Sequence, residues 1–201
     1  MLVDLSIKDF ANKVASYESV VPAGGCVMAL SGLMGVCLLE MSVDSVYGRP
    51  EGEKAQDLLQ KVKTQLTALH SELLTYVDKD AQAYGGVLAA YKLQKSTLKE
   101  TEHRQAEIEA AALSAIEIPL KISAACIAAL EPGIMLLPKV KQGVLGDLKI
   151  GLLVTKASIE GSLAAARMNL SLIKEEKLVK ELRARIDELQ VEFDKAMTKL
   201  G

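Results

Sequence analysis

The apolar residues of this chain recur three and four apart almost from end to end. Nowhere do they alternate with the period of two that a half-buried strand requires, so each long periodic run predicts a helix. Leu5, Phe10, Val14 and Tyr17 share one side of a short helix that Ser6 and Asp9 open as a capping box. Cys26 to Val46 is the most apolar long segment, with Glu40 and Asp44 its only charges. Gly48-Arg49-Pro50 ends it, because proline disfavours a helical residue before it. From about Gly52 to Leu93, Leu58, Leu59, Val62, Leu66, Leu69, Leu73 and Tyr76 mark a long amphipathic helix. Gly85-Gly86 inside it predicts a kink or a close contact. Thr97 to Glu100 repeats the capping-box pattern and opens a helix to Leu130, bent at Pro119. Glu131-Pro132-Gly133 predicts a break, Ile134 to Leu137 a short apolar piece, and Lys139 to Gly146 a loop. Asp147 is placed to cap a helix from Leu148 to about Ile173. Leu178, Leu182, Ile186, Leu189, Phe193 and Met197 mark the last helix, Glu175 to Leu200.

These elements predict an all-α fold: a bundle of long antiparallel helices around a buried apolar helix, one domain over residues 1–201. Ala29, Gly32 and Gly35, three apart, leave one face of the apolar helix nearly bare, which lets other helices approach closely. Similar small-residue surface at 81–90 and 148–166 exceeds what one bundle needs and predicts a symmetric homodimer. As a helix, Cys26 to Val46 would be about 31 Å long, the thickness of a membrane. Its two acids four apart, and the lack of an aromatic belt or basic flank, favour a core helix and no membrane partner.

Composition narrows this further. Half of the 201 residues are apolar, yet only five Tyr and two Phe are aromatic, so Ala, Leu, Val and Ile make the core. A net charge of −2 argues against nucleic acid as a partner, which needs a basic surface. Cys26, Cys37 and Cys126 are an odd number in apolar contexts with no ligand spacing, so neither a disulfide framework nor a metal is expected. The start, Met1-Leu2-Val3-Asp4, lacks the regions of a secretory signal, and a cytoplasmic location is the expectation.

Candidate chemistry gathers at the ends of the apolar helices. His70 and His103 fall on polar sides; His70 reads as solvated, and His103, flanked by Glu102 and Arg104, is left open. The turn around Gly24 and Gly25 would aim backbone N–H groups and a helix dipole at whatever lies there. Asp80 precedes the glycine pair, Lys92 and Lys95 lie in the turn that follows, Arg104 starts the next helix, and Asp147 sits before another. Brought together, these residues would hold an anionic substrate while a carboxylate moves a proton; the alternative is a set of caps and a solvated turn.

The order of these features resembles the cyclodeaminase/cyclohydrolase family of folate enzymes, which includes the cyclodeaminase domain of formiminotransferase-cyclodeaminase. The family's Pro-Gly-Gly-Gly-Ser before a long apolar helix is here Pro22-Ala23-Gly24-Gly25-Cys26. Its Asp-x-x-Ala-Phe/Tyr is Asp80 to Tyr84, and its Lys-Leu-Pro-Lys is Lys92-Leu93-Gln94-Lys95. An arginine follows nine residues on, Arg104, and a proline fifteen further, Pro119. Later Gly146-Asp147, Glu160-Gly161 and Asn169 keep the family's offsets, with Gly146 in place of a serine.

The resemblance implies an all-α homodimeric enzyme acting on a tetrahydrofolate derivative as substrate. It would form methenyltetrahydrofolate from formiminotetrahydrofolate with loss of ammonia, or hydrolyse methenyltetrahydrofolate to the 10-formyl compound, without a metal. It implies Asp147 as the acid/base, with Asp80 second. Pro22, Gly24, Gly25, Cys26, Tyr84, Lys92, Lys95, Arg104 and Asn169 would bind the substrate, the three cations holding the glutamate tail or the polar edge of the pterin. The alternatives are another one-carbon reaction on this scaffold and a non-catalytic folate-binding or helical interaction protein.

Overall fold

The computed structural model describes residues 1–46 and 55–199. The stop expected at Gly48-Arg49-Pro50, the start near Gly52 and the end at Leu200 lie outside the described residues. Every regular element described is helical. The α-helices are α1 (Ile7–Ala15), α2 (Gly24–Asp44), α3 (Gln56–Tyr91), α4 (Leu98–Leu136), α5 (Gln142–Asn169) and α6 (Glu176–Thr198). Short 3-10 turns occupy Leu2–Asp4 and Leu170–Leu172. In the core α2, α3, α4 and α5 form a ring of neighbours, and α6 lies across α4 and α5.

Local signals set the helix starts. Ser6 accepts the Asp9 N–H at 3.1 Å, and Thr97 with Glu100 forms a complete capping box. The apolar stripe of α3 is buried at Leu59, Val62, Leu66, Leu69, Leu73, Tyr76 and Val77, whereas Leu58 falls off the stripe and is exposed. At the same spacing the stripe continues into Asp80, which places a carboxylate on the buried face. The bare face of α2 is used as its composition suggests. A Cβ at Gly32 would sit 2.6 Å from Cys126 Sγ and 2.7 Å from Ser158 Oγ, and one at Gly35 would sit 2.4 Å from Thr155 Oγ1. Each glycine costs about 1 kcal/mol in a helix, a cost offset where it brings α4 and α5 this close.

Four expectations change. α2 is buried on one side only: Ala29, Leu33, Val36 and Leu39 face the core, but Met34 and Met41 stand exposed on the other side. Pro132 does not break α4, which runs on to Leu136. The carbonyl that loses its helix donor to Pro132, that of Ala128, accepts from Gln65 Nε2 at 3.1 Å instead. The loop expected before Asp147 is helix. α5 already starts at Gln142, because Gly143 and Gly146 lie on open surface where they cost helix propensity but no contact. It ends at Asn169 and passes into the 3-10 turn. Finally, nothing lies within 4 Å of a Cβ on Gly85, and only Ala111 Cβ, at 3.8 Å, near one on Gly86. The pair therefore marks no tight contact within the chain, and α3 runs through it without a break.

By length and composition α2 and α4 are both apolar enough to cross a membrane; 50% of the α2 window and 56% of the α4 window are packed inside the bundle. The first helix stands apart. No residue of α1 is fully buried and Ile7 is almost fully exposed; Phe10 alone of its apolar residues packs against the core, and Tyr17 beyond its end is exposed.

Candidate functional site

The four core helices converge on a pocket of about 420 Å³, within the range of small-molecule sites. The start of α2 supplies Ala23, Gly24, Gly25 and Met28; α3 supplies Asp80 and Tyr84; α4 supplies Ala115 and Pro119. The last turns of α5 supply Gly161, Ala164, Ala165, Met168 and Asn169. A larger concavity of about 540 Å³ between α3, α4 and α6 is lined by Leu58, Lys61, Met135 and Lys195 among others. Chemistry, not size, separates the two: only the smaller one holds a buried carboxyl.

Asp80 is 8% exposed. Its Oδ2 accepts from Cys26 Sγ at 3.1 Å, and a Cβ added to Gly25 would lie 2.0 Å from Oδ1. The carboxyl thus sits directly against the first turn of α2. Ala23, the residue before that helix, offers no side-chain cap, so Asp80 of α3 supplies the negative group that the helix end favours. Ala23 itself has φ −117° and ψ −167°, ordinary extended backbone, so the alanine in the glycine turn is not strained. The Val21–Pro22 peptide bond is cis and Pro22 is buried.

Burial raises the Asp80 carboxyl above the usual carboxylate range, against the opposing pull of the Cys26 thiol and backbone N–H. The same burial, together with the negative charge of Asp80, pushes the Cys26 thiol up to about 12. At neutral pH Cys26 therefore remains a hydrogen-bond donor rather than a thiolate.

Of the residues singled out in the sequence, Gly24, Gly25, Asp80, Tyr84 and Asn169 meet at the pocket. Cys26 lies beneath it, bonded to Asp80. Lys92, Lys95 and Arg104 do not line it. Lys92 caps the end of α3, and all three are on the surface near the α3–α4 turn. Arg104 donates to the Tyr91 carbonyl through Nε (3.2 Å) and Nη2 (3.0 Å), with its guanidinium over the Tyr91 ring. Asp147 is exposed in the second turn of α5, at the opposite end of that helix from Asn169 and roughly 33 Å away along it. The carboxylate expected first is therefore remote from the pocket of its own chain, because the pocket is built on the last turns of α5 and Asp147 lies near its first. His70 is not a free surface imidazole either: Nδ1 lies 3.0 Å from Glu40 Oε2. Met28, Ala115, Ala164 and Met168 went unnoticed in the sequence. Ala23, Pro119 and Gly161 carried a signal, through the glycine turn, the helix proline and the Glu160-Gly161 pair; a Cβ on Gly161 would meet Met28 Sδ.

Among the described residues, no group of three or more His, Cys, Asp and Glu side chains is arranged to hold a metal ion. The site offers one shielded carboxyl, a thiol donor behind it, an amide, a phenol and a helix start, inside a largely apolar wall. That set can bind a flat, partly polar molecule and exchange a proton with it.

Comparison with known proteins agrees on one family. The family model described as formiminotransferase-cyclodeaminase matches residues 6–188. Formimidoyltransferase-cyclodeaminase of Rattus norvegicus is 27% identical over 189 residues, 94% of this chain and 35% of that protein. Methenyltetrahydrofolate cyclohydrolase of Methylorubrum extorquens is 26% identical over 157 residues, 78% of this chain and 75% of that one. The chain thus spans about a third of the length of the rat relative. The crystal structure of formiminotetrahydrofolate cyclodeaminase from Thermotoga maritima superposes with a TM-score of 0.86 at 19% identity, covering 99% of this chain and 95% of that one. The likeness in structure establishes the shared fold, and the family model covers most of the sequence: the chain belongs to the formiminotransferase-cyclodeaminase family.

Proposed function

We propose that this chain is a folate one-carbon enzyme. It closes formiminotetrahydrofolate to methenyltetrahydrofolate with release of ammonia, or opens methenyltetrahydrofolate with water to 10-formyltetrahydrofolate. Family membership, with relatives named for a cyclodeaminase and for a cyclohydrolase, supports the substrate class. The observation that carries the chemistry is Asp80, a nearly buried carboxyl with a raised pKa at the meeting point of four helices.

In cyclodeamination N10 attacks the carbon of the protonated formimino group, a C–N bond forms, and N10 loses a proton. The departing nitrogen gains one before its own C–N bond breaks and ammonia leaves. In hydrolysis water adds to the methenyl cation and loses a proton; the hydroxyl so formed loses its own as the bond from that carbon to N5 breaks, N5 takes one of the two up, and the other leaves to solvent. A single carboxyl that accepts a proton and returns it serves either sequence, so the reading needs no metal. Asp80 performs this step. Burial moves its pKa toward neutrality, where such a group works best. The N–H groups of Gly24 and Gly25 would hold a polar edge of the ligand. Lys92 lies two turns beyond Tyr84 on α3, roughly 12 Å further out. With Lys95 and Arg104 it would meet the glutamate tail outside the pocket.

The same reading includes a homodimer. Met34 and Met41 of α2 and Ile150, Leu153 and Met168 of α5 are exposed apolar residues, and the α5 face runs into the rim of the pocket. A two-fold axis near the middle of α5 would set two copies of it antiparallel. Asp147 of the partner subunit would then lie opposite the Met168 end and complete the site. Turnover of formimino- and methenyltetrahydrofolate, followed by methenyl absorbance and ammonia release, distinguishes the two reactions; no turnover of either refutes the enzyme. Mixing inactive D80N and D147N chains should restore roughly a quarter of wild-type activity if each site uses Asp80 and the partner subunit's Asp147. No recovery, or full activity of D147N alone, removes Asp147 from the mechanism.

A further inference from the structure

Both prolines inside α4 leave a carbonyl without its helix donor, and in both cases an amide side chain from a neighbouring helix replaces the missing N–H. Pro132 orphans the Ala128 carbonyl, which accepts from Gln65 Nε2 of α3 at 3.1 Å. Pro119 orphans the Ala115 carbonyl, which accepts from Asn169 Nδ2 of α5 at 2.7 Å. The chemistry is the same and the location is not. Gln65 and Ala128 line the concavity beside α6, whereas Pro119, Ala115 and Asn169 all line the candidate site.

A primary amide has donors on nitrogen and acceptors on oxygen. With Nδ2 held by the Ala115 carbonyl, the Asn169 amide cannot turn over without leaving that carbonyl unpartnered. Oδ1 is then the atom left for a ligand. We propose that Asn169 is a positioning and specificity-determining residue. Pro119 fixes its orientation by orphaning Ala115, so that the pocket presents an acceptor there and selects a ligand edge carrying an N–H or O–H donor. This rests on the reading of the pocket as a folate site. It replaces the expectation that Asn169 is simply one more binding residue. The proline and the asparagine, fifty residues apart in sequence, form one device.

The test is a pair of double-mutant cycles read in two ways. N169A should lower Tm by about 2 to 4 °C, the loss of one partly buried hydrogen bond in a chain of this size. In a P119A background, where the backbone N–H returns to Ala115, most of that loss should vanish. Q65A with P132A should give the same pattern with smaller changes in Tm, because the Gln65–Ala128 bond is exposed to water. Tetrahydrofolate titration and KM separate positioning from mere structure. N169A should weaken tetrahydrofolate and raise KM roughly tenfold with kcat little changed, while Q65A should leave both as in wild type. Additive Tm effects at Pro119 and Asn169 would overturn the cap, and wild-type affinity in N169A would overturn the role in specificity. If wild-type protein takes up no tetrahydrofolate, the folate reading and the specificity built on it both fall, and the thermal cycle still decides the cap.

Discussion

The closest approach in the site is that of Gly25 to Asp80, and replacing Gly25 with alanine tests it. The new Cβ would lie 2.0 Å from Oδ1, 2.4 Å from Cγ and 2.5 Å from Oδ2 of Asp80. Ordinary contact begins near 3.4 Å, so the carboxyl must retreat by about 1.4 Å. Asp80 is short, 8% exposed and bonded to Cys26 Sγ at 3.1 Å, so it cannot retreat without losing that hydrogen bond. The broken bond costs about 1–3 kcal/mol, against a gain of up to about 1 kcal/mol from alanine in a helix. Gly24→Ala is the matched control, since nothing lies within 4 Å of its Cβ. We expect G24A to match or exceed wild type in Tm and to keep its turnover of the folate substrate. G25A should be less stable than G24A by at least about 1 kcal/mol and slower by roughly a hundredfold, the usual result of misplacing a reacting group by about 1 Å. Thermal unfolding and the methenyl absorbance assay read both. A G25A protein as stable and active as G24A would show that Asp80 does not occupy this position or that its position does not matter.

Asp80 should also limit stability. Burial raises its pKa in the fold, so the folded state holds the proton more tightly than the unfolded chain. Below the unfolded pKa of about 3.9 both states are protonated and there is no penalty; it grows as pH rises and is complete above the folded pKa. D80N should therefore raise Tm at pH 7, and the gain should shrink as pH falls toward 4; a gain that is the same at both pH values would contradict a buried charge. Cys26 should act only as a donor. With its thiol pushed up to about 12 it should resist iodoacetamide at pH 8 in the folded protein. C26S should keep turnover within about threefold and C26A should lose roughly tenfold, with the acid limb of the pH profile moved upward as Asp80 loses a group that favours its charge.

The fold was open to reading because packing between helices follows spacing alone. The α3 stripe, the Ser6 and Thr97 caps and the bare face of α2 all appear where the pattern puts them. The helix ends were harder. Gly143, Gly146 and Pro132 look like breaks, yet each sits where the chain loses little: two on open surface, one where Gln65 makes good the missing donor. That compensation comes from a residue 63 positions away from Ala128, which no local signal carries. The site was legible in part. Asp80 continues the apolar stripe of α3 through Leu73, Tyr76 and Val77, a spacing that already places it inside. Asp147 stood first through the family resemblance, and no local pattern shows that the long run of α5 carries it roughly 33 Å from the Asn169 end of its own pocket. Met28, Ala164 and Met168 form pocket wall only because α2 and α5 lie side by side, which is a property of the assembled bundle.

The central claim is that Asp80 moves the proton in a folate pocket, and D80N tests it most directly, because the amide keeps the shape of the carboxyl and removes its basicity. Turnover of formimino- or methenyltetrahydrofolate by wild-type and D80N protein should be measured alongside calorimetric titration with tetrahydrofolate. A fall in kcat of roughly a hundredfold or more, with affinity within a few-fold of wild type, is the expected result. D80N that turns over at the wild-type rate would contradict it.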